Sequence, residues 1–599
     1  MSGNEILQLV IYLAVLFCLV KPLGSYIATI YEGRSNFMVR VLGPLERWTY
    51  KICHIRSEQE MNWKEYAISM LLFNLMGFIA VYLIQRLQGI LPLNPQHFPA
   101  VNPDLAFNTA TSFIANTNWQ AYGGENTLSY FTQMAALTVQ NFLSAATGIS
   151  ILMALIRGIR RCETTALGNF WVDIVRGILY LFLPLSILLS LLLVSQGVIQ
   201  NFKPYQSVSL IQAEQYQDPQ LDETGQQMKD AKGDLIFRTK TLIEQQIPMG
   251  PAASQVAIKQ LGTNGGGFFN VNSAHPFENP TPLSNFFEML AILLMPAALC
   301  YTYGVMVRKN RQGWAILVTM SIILIPLICT TFIAEKQTNP AIEKIAQDII
   351  LPDGGNMEGK ETRFGILNSS IWATATTATG NGSVNAMLDS FLPVGGLIPL
   401  WLMDLAEVIF GGVGSGLYQM IIFILITVFV SGLMVGRTPE YMGKKIEAFE
   451  MKMAAVAIFV MPLTVLLCTA IAVLSSAGLS ALANPGAHGF SEILYAFSSM
   501  TNNNGSAFAG LNSNISFYTT LGGFAILIGR YWIAIAILAI AGSLAGKKTI
   551  PASSGTLPTD SITFGFVLIG VILIMGALIF FPAFALGPIV EQFMLAGHL

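Results

Sequence analysis

The sequence contains few charged residues for its length. Only 11% of its 599 residues are Asp, Glu, Lys or Arg, whereas 53% are hydrophobic; a soluble domain usually carries about a quarter charged residues. The net charge of −2 gives no basic field that would attract nucleic acid, so we predict no nucleic-acid partner. This composition excludes an ordinary soluble protein and predicts a chain that is surrounded by membrane lipid.

Motifs for catalysis and for tight metal binding are also missing. The six cysteines are scattered, without a CxxC pair or a Cys/His cluster, which argues against a zinc site and against a disulfide framework. The five histidines lack the paired spacing of metal ligands. Because neither a GxxxxGK[ST] phosphate loop nor an Asp-Lys-Thr-Gly phosphorylation run occurs, we predict that the chain does not itself hydrolyse ATP.

Long apolar runs are what the sequence has instead. A helix that crosses the hydrocarbon of a bilayer needs about 20 mostly apolar residues, and its internal hydrogen bonds satisfy the backbone there. The predicted spans are 6–30, 65–90, 129–156, 170–196, 284–307, 313–333, 396–434, 451–477, 517–545 and 562–588. We therefore predict an all-α polytopic membrane protein with ten transmembrane helices.

Basic residues alternate between the connections and predict the orientation. The loop 31–64 holds six of them, and further basic groups follow the third, fifth, seventh and ninth spans, which places these connections in the cytoplasm. The long connections at 198–250 and 335–364 then lie outside, and both termini are predicted to be extracytoplasmic. The first span follows Glu5 without a preceding Lys or Arg, so we expect it to remain rather than to be cleaved as a signal peptide.

A repeated pattern divides the chain into similar units. Each of four outward connections contains a short, weakly apolar stretch that ends in a small polar cluster, and Asn118, Gly265, Gly382 and Gly505 are equivalent positions. The pattern predicts four units of span, short helix, polar loop and span, with one extra span at each end. The predicted units are 1–60 (extra span and basic loop), 61–165, 166–312 (with the insertion 198–250), 313–448, 449–548 and 549–599 (extra span).

The polar clusters suit a pathway for a monovalent cation. Non-helical backbone at membrane depth is tolerated where it lines a cavity, and glycine permits the angles that direct successive carbonyls to one side. Thr and Asn add uncharged oxygen ligands. Such oxygens replace the hydration shell of K⁺, whereas Ca²⁺ or Mg²⁺ would need carboxylates. We predict K⁺ as the only bound metal and no organic cofactor; for any single loop, an ordinary Gly/Asn turn is the alternative.

Five stretches of the sequence carry a family resemblance. They are NTNWQ (116–120), LGTNGGGFFNVNSAHPFENPTPLSN (261–285), SVNAMLDS (383–390), GRTPEYMGKKIE (436–447) and NNNGSAFAGLN (502–512). With these motifs the chain resembles the A subunits of Kdp-type potassium-transporting P-type ATPases, members of a superfamily related to tetrameric K⁺ channels. The resemblance covers essentially the whole chain, apart from variable insertions near 200–250 and 340–365.

The resemblance implies a K⁺ selectivity filter with one segment from each repeat. The implied filter residues are Asn116, Thr117, Asn118, Thr263, Asn264, Gly265, Gly380, Asn381, Gly382, Asn503, Asn504 and Gly505. The third segment departs from the family, which usually has Ser or Thr followed by Thr or Cys where this chain has Gly380-Asn381. That change puts a hydroxyl or thiol ligand in doubt but keeps the backbone carbonyls. Gln120 matches a family position that shapes the pore mouth.

The predicted seventh span is too long for one straight crossing. Its glycine-rich stretch 411–416 predicts a broken helix, and the resemblance implies that this break forms a gate beneath the filter. Close helix packing by small residues is the alternative, and a cytoplasmic anchor is the alternative for the arginine at 437. The candidate pore or gate residues are Gly412, Gly414, Ser415, Arg437 and Arg530.

The resemblance also implies a function and partners. It implies the channel-like component of a high-affinity, ATP-driven potassium importer in the bacterial cytoplasmic (inner) membrane. The implied partners are a catalytic P-type ATPase chain (the B subunit), a single-span C subunit and a small F subunit, beside membrane lipid. A stand-alone K⁺ channel or cation symporter of the same superfamily is the alternative, but such proteins need only eight spans, so the extra pair favours the pump component.

Overall fold

The computed structural model describes residues 2–220, 236–340, 355–436, 438–551 and 557–597. Within these ranges, ten helices are long and apolar enough to cross a membrane: Gly3–Tyr31, Trp63–Ile90, Thr132–Arg160, Phe170–Ser195, Pro282–Met306, Asn310–Glu335, Ser415–Met434, Ala448–Leu474, Ser516–Gly546 and Ile562–Leu595. The predicted polytopic helical fold is therefore confirmed, with limits that shift by a few residues at most spans.

Capping residues set where several spans begin. Asn62 accepts hydrogen bonds from the backbone N–H groups of Lys64 and Glu65, while Glu65 accepts one from the N–H of Asn62 at 2.9 Å. The reciprocal pair satisfies donors that the first helical turn leaves without an intrahelical partner. The local sequence therefore fixes the start of the second span, at the end of the basic loop 31–64.

Four short helices lie between paired spans and are almost completely buried. These pore helices are Pro103–Ile114, Ala252–Leu261, Gly365–Ala378 and Gly486–Asn502. Each is preceded and followed by a span, as the four-repeat pattern requires. The limits of the six predicted units stay a prediction, because the helices alone do not divide the chain into domains.

The predicted seventh span consists of two helices. Pro393–Asp404 ends well before Ser415–Val435 begins, and the non-helical stretch 405–414 between them is called the break below. Several of its residues have positive φ, among them Glu407 (50°) and Gly411 (66°). Only the helix after the break is long enough to count as a span.

Spans differ in how much of their surface the protein itself covers. In the most apolar 18-residue stretch of each helix, 89% of the residues are buried in Pro282–Met306 and 83% in Thr132–Arg160. The corresponding values are 22% for Gly3–Tyr31 and 28% for Ile562–Leu595. The spans that follow the first two pore helices thus form the interior, and the two extra spans lie at the periphery, where apolar side chains can face lipid.

The connections contain elements that the sequence pattern did not predict. The insertion 198–250 forms an antiparallel pair of strands, β1 (Gln206–Pro219) and β2 (Phe237–Ile247), with Gln206 opposite Ile247. A second, two-residue pair joins β3 (Glu440–Tyr441) to β4 (Lys444–Lys445). The remaining one-turn helices are Gln88–Ile90, Gly124–Thr127, Asn272–Ala274, Leu388–Ser390 and Ser476–Leu479. Four of the spans also contain a wider π-helical turn: Thr132–Thr138, Gly177–Phe182, Ile528–Trp532 and Ala585–Ile589.

The basic loop after the first span contains an amphipathic helix, Phe37–Ile52. Glu46 holds it against the fourth span, because its carboxylate accepts hydrogen bonds from Arg176 at 3.0 Å and from Tyr180 at 2.6 Å. Its apolar side chains are exposed along one face: Phe37, Val41, Leu45, Trp48 and Ile52. An exposed apolar stripe beside basic residues is typical of a helix that lies in a membrane interface.

Candidate functional site

The four polar clusters form short non-helical segments at the ends of the pore helices. We call 116–118, 263–265, 380–382 and 503–505 the ring segments. In every one, the first residue has a φ between 46° and 65° and the third a φ between 50° and 103°, whereas the middle residue has no positive φ. Alternation of left-handed and ordinary backbone lets successive carbonyl groups point to the same side of a segment.

The first and second ring segments are joined by asparagine side chains. The Asn116 amide donates to the carbonyl of Thr263 at 2.9 Å, and the Asn118 amide donates to the carbonyl of Gly265 at 3.0 Å. Asn264 in turn donates to the side-chain oxygen of Asn116. All of these groups are buried, so the hydrogen bonds fix one segment against the other in a site of low dielectric.

The second and third ring segments meet through backbone contact. A Cβ atom built on Gly265 would overlap the carbonyl oxygen of Asn381, so no larger residue fits there. The Asn381 side chain donates to the carbonyl of Lys259 and to the side-chain oxygen of Gln260, both at 3.1 Å. The glycine is thus required twice, by its φ of 70° and by the close approach of its neighbour.

The remaining two junctions close a ring. A Cβ on Gly382 would overlap the carbonyl oxygen of Asn504, and a Cβ on Gly505 would overlap that of Thr117. The Asn503 amide also donates to the Thr117 hydroxyl at 3.1 Å. The four segments, which hold the twelve predicted filter residues, therefore contact one another in the order first, second, third, fourth and back to first.

A cavity opens on the side of the ring formed by the third residues of the segments. Its volume is about 350 Å³. Residues from all four repeats line it: Asn118, Gly266, Gly382 and Gly505. Because one space reaches every repeat, the cavity is suited to receive an ion before it enters the ring.

Gln120 lies at the rim of this cavity and is fixed there. Its amide donates to the carbonyl of Gly267 at 2.9 Å, and its side-chain oxygen accepts from the Gly267 N–H at 2.8 Å. It also donates to the Tyr122 hydroxyl at 3.2 Å. The side chain therefore links the first repeat to the second just beyond their ring segments.

A buried ion pair neutralises the positive charge nearest to the cavity. Lys360 lines the cavity, and its ammonium group lies 2.7 Å from a carboxylate oxygen of Glu335, with both side chains fully buried. Burial lowers the pKa of Lys360, and the Glu335 carboxylate opposes that shift. The pair leaves no uncompensated lysine charge to repel an incoming cation.

The ring favours a cation electrostatically although none of its twelve residues carries a carboxylate. Each pore helix ends next to a ring segment, so its C-terminal carbonyls bring the negative end of the helix dipole there. One carboxylate does reach the ring from outside: buried Glu407, in the break, accepts a hydrogen bond from the Asn504 amide at 3.1 Å. In the sequence Glu407 lies just before the glycine-rich stretch 411–416, and nothing in its spacing indicates contact with the fourth segment.

The break lies against the opposite side of the ring from the cavity. The Val413 N–H donates to the Thr263 hydroxyl at 2.8 Å, and the Gly411 N–H donates to the carbonyl of Ala378, the last residue of the third pore helix, at 2.8 Å. The structure therefore brings the glycine-rich break into direct contact with two repeats of the ring.

The candidate gate residues lie at this contact. A Cβ on Gly412 would come within 2.5 Å of the Ser415 hydroxyl and 3.7 Å of the Thr263 hydroxyl. A Cβ on Gly414 would overlap the carbonyl of Gly148 in the third span. Small residues are therefore needed at 412 and 414 because neighbouring groups occupy the space.

Arg530 lies on the same side as the break. It belongs to the π-helical turn Ile528–Trp532 and is only 6% exposed. Its guanidinium is next to Gly148 and within electrostatic range of Glu407. The other predicted arginine, Arg437, lies outside the described residues.

Sequence reasoning missed a second group that positions the ring. Lys259, in the second pore helix, is fully buried, donates to the carbonyl of Gly266 at 3.0 Å and forms an ion pair with Glu278. Glu278 also accepts from the Phe269 N–H at 2.7 Å. The sequence did contain a signal, because Lys259 is the only charged residue in its pore helix. A lysine at membrane depth usually has a carboxylate or carbonyl partner, which indicates a structural or functional role.

Comparison with known proteins gives one consistent result. Residues 10–593 match the family described as "Potassium-transporting ATPase A subunit". The chain is 61% identical over 597 residues to a protein of Methylococcus capsulatus, with 100% of both chains covered, and 59% identical over 595 residues to one of Sorangium cellulosum, with 99% of both covered. A relative from Herpetosiphon aurantiacus is 58% identical over 599 residues, again with full coverage. All three are named potassium-transporting ATPase potassium-binding subunit.

Proposed function

The chain belongs to the family of potassium-transporting ATPase A subunits, and from this premise we propose that it binds K⁺ in the ring and translocates it as the channel-like component of a high-affinity, ATP-driven importer. The observation that carries the proposal is the closed contact between the four ring segments. Their neutral carbonyl, hydroxyl and amide oxygens match the ligands that replace water around K⁺. The twelve predicted filter residues are proposed to provide them.

The path is proposed to run from the cavity through the ring to the break. Gln120 then stands at the mouth, where its double hydrogen bond to Gly267 keeps the entrance in shape. Gly412, Gly414, Ser415 and Arg530 stand on the far side, where movement of the break would open or close the exit. Arg437 is retained as a candidate on family resemblance alone.

Energy is proposed to come from other chains. The sequence has no phosphate-binding loop and no phosphorylation motif, and its cytoplasmic connections, of at most about 35 residues, are too short to fold a nucleotide-binding domain. A catalytic P-type B subunit, together with the C and F subunits, is therefore proposed to hydrolyse ATP while this chain selects and conducts the ion. This division of labour makes the chain itself non-catalytic.

The proposed location is the bacterial cytoplasmic membrane, with both termini outside. The alternation of basic connections supports this orientation. The cavity and the insertion that holds β1 and β2 then face outward, and the amphipathic helix Phe37–Ile52 faces the cytoplasm. K⁺ would enter the ring from the outer side, which is the direction that uptake needs.

Purification of the tagged chain from its native membrane tests the proposal. We expect a partner chain of the size of an ATPase to accompany it and K⁺ to stimulate ATP hydrolysis by that complex more strongly than Na⁺ does. The full chain alone, in liposomes, should show little K⁺ flux. Passage of K⁺ at channel rates without partners would overturn the pump assignment and favour the stand-alone channel, whereas absence of measurable K⁺ binding by the purified complex would overturn the ring as its site.

A further inference from the structure

A group of titratable side chains lies away from the ring, where three separate elements meet. Asp389 belongs to the one-turn helix Leu388–Ser390, and His488 and Glu492 to the start of the fourth pore helix. One potential ligand atom of each lies within 4.8 Å of those of the other two. Glu591, from the C-terminal end of the last span, completes the group. Transport through the ring uses none of these side chains.

The histidine is held between two carboxylates. His488 Nδ1 lies 2.7 Å from a carboxylate oxygen of Glu591, and Nε2 lies 3.1 Å from one of Asp389. A histidine that binds a metal commonly donates its other ring N–H to a carboxylate, which fixes the tautomer and orients the ring. In this arrangement Glu591 orients the ring through Nδ1, and Nε2 is the ligand atom that faces Asp389.

Glu492 provides an independent indication that a cation binds here. It is fully buried, and one of its carboxylate oxygens accepts a hydrogen bond from the Asn484 amide at 2.7 Å. The other oxygen, Oε2, is buried and accepts no hydrogen bond from any described residue. A buried carboxylate oxygen without a donor is costly, and a cation between Glu492 and the neighbouring Asp389 would satisfy it.

We propose that Asp389, His488 and Glu492 bind a divalent transition-metal ion, with Zn²⁺ the best match. Zn²⁺ is bound by imidazole nitrogen and by carboxylate oxygen, and three protein ligands leave a fourth position for water. Zn²⁺ at about 2.1 Å from each ligand needs ligand atoms roughly 3.4 Å apart, so the side chains must close around the ion. A surface cavity of about 570 Å³, lined by Asp389 and His488, gives the ion and its water access.

The proposed metal would join three parts of the chain that are far apart in sequence. It would tie the segment after the third ring segment to the fourth pore helix, and through Glu591 to the last span. His488 and Glu591 are 103 residues apart, which explains why histidine spacing in the sequence gave no sign of a site. The proposal departs from the prediction that K⁺ is the only metal ion bound.

Zinc titration of the purified, chelator-treated full chain tests the site. A competing chelator reports how much Zn²⁺ the chain binds. We expect the unaltered chain to bind one more Zn²⁺ ion per chain, saturably, than the site variants do. His488→Ala and Glu492→Gln should each raise the Kd for Zn²⁺ at least tenfold, and Glu591→Gln about tenfold because it removes only the orienting partner. His97→Ala, which alters an exposed histidine elsewhere, is the matched control and should bind as the unaltered chain does.

Thermal unfolding with and without Zn²⁺ provides a second readout. Zn²⁺ should raise the unfolding temperature of the unaltered chain and of His97→Ala but not that of His488→Ala. Glu591→Gln is the mildest change and keeps the test decisive if an alanine variant folds poorly. Equal zinc affinity in the unaltered chain, Glu591→Gln and Glu492→Gln would overturn the proposal, as would displacement of the bound zinc by millimolar K⁺.

Discussion

The third ring segment differs from the other three at its first residue, which is glycine in the third segment and Asn or Thr in the others. The first residue of each segment is left-handed, and in three of them its side chain bonds to a neighbour. Asn116 and Asn503 donate to other ring segments, and Thr263 accepts from the break. Gly380, at the equivalent place, has no side chain to do so. In the first, second and fourth segments, side-chain hydrogen bonds thus hold the left-handed conformation of the first residue. In the third segment another group must do so.

Glu407 takes that place. A Cβ on Gly380 would overlap the Glu407 carboxylate, which itself accepts a hydrogen bond from Asn504 in the fourth segment. From the side of the ring opposite to the cavity, the break therefore supplies the Glu407 carboxylate in place of the polar side chain that the third segment lacks. The difference indicates that glycine at 380 is not simply a lost ligand, because it makes room for the Glu407 carboxylate, which couples the break to the ring.

At the third position of each segment the pattern is reversed. Gly265, Gly382 and Gly505 are glycines because a neighbouring carbonyl lies against each of them, and Asn118 alone carries a side chain. First positions therefore tolerate side chains that bond, whereas three of the third positions tolerate none. This contrast ranks substitutions around the ring by their expected effect on K⁺ binding.

Gly265→Ala should have the largest effect. The new Cβ would overlap the Asn381 carbonyl, and alanine in left-handed backbone adds strain of roughly 1–3 kcal/mol. Since about 1.4 kcal/mol corresponds to a tenfold change in an equilibrium constant, we expect the Kd for K⁺ to rise at least tenfold. Isothermal titration of the purified complex with K⁺, together with the K⁺ concentration for half-maximal uptake, measures it.

Gly436→Ala is the matched control for that substitution. Gly436 also has a positive φ, 68°, but a Cβ there meets no atom of the described residues within 4 Å. It therefore carries the backbone strain without the collision, and K⁺ affinity should stay within about twofold of the unaltered protein, well below the tenfold step that about 1.4 kcal/mol produces. Equal losses of affinity in the two variants would show that the contact between the second and third segments does not shape the site.

Gly380→Ala should have the next largest effect on the Kd for K⁺, and a double-mutant cycle with Glu407→Ala tests the reason. Gly380→Ala alone pushes the carboxylate away from Asn504 and should weaken K⁺ binding several-fold. In a Glu407→Ala background the space is free, so the same substitution should cost less, with a coupling of about 0.5–3 kcal/mol. The Kd for K⁺ of the four proteins gives this coupling directly. Strictly additive effects would contradict the idea that glycine at 380 exists to accommodate Glu407.

Much of this arrangement follows from the sequence for a simple reason. Spans are recognisable because about 20 apolar residues are needed to cross hydrocarbon, and the ring segments are recognisable because Gly, Asn and Thr are unusual at that depth. Because the same span–loop–span pattern occurs four times, each polar loop is better explained as part of a pore than as an ordinary Gly/Asn turn. Asn118, Gly265, Gly382 and Gly505 were assigned as equivalents from spacing, and the structure places three of them, with Gly266 from the second repeat, around one cavity.

The features that escaped prediction depend on tertiary contact or on weak local patterns. The stretch 411–416 predicted the break within the span 396–434, but not that the break already begins at residue 405, because the residues there are apolar. Glu407 and Lys259 reach the ring through contacts with residues about 100 positions away or with a loop whose path no periodicity encodes. The strands β1 and β2 lie in a polar insertion with little alternation of apolar side chains, which is the signal that a half-buried strand would give.

Lys444 and Lys445 extend the comparison to a part of the chain far from the ring, where the expected effect on K⁺ binding is smallest. Lys444 is 1% exposed, and its ammonium group donates to the carbonyls of Gly158, Arg161 and Leu544 at the ends of two spans. Lys445, beside it, is exposed. Lys444→Met should lower the free energy of unfolding by roughly 1.5–3 kcal/mol, the range for hydrogen bonds to charged groups, while Lys445→Met should change it little.

The two lysines form a matched pair, because the same substitution is made at adjacent residues. Thermal unfolding of both variants in saturating K⁺ measures stability, and K⁺ titration measures the ring independently. Lys444→Met should lose stability while its Kd for K⁺ stays within about twofold, because the ring is fixed by its own contacts and not by the helix ends that Lys444 caps. A loss of affinity as large as that of Gly265→Ala would mean that the ring depends on how these distant helix ends are held, and the local account of K⁺ binding would have to be abandoned.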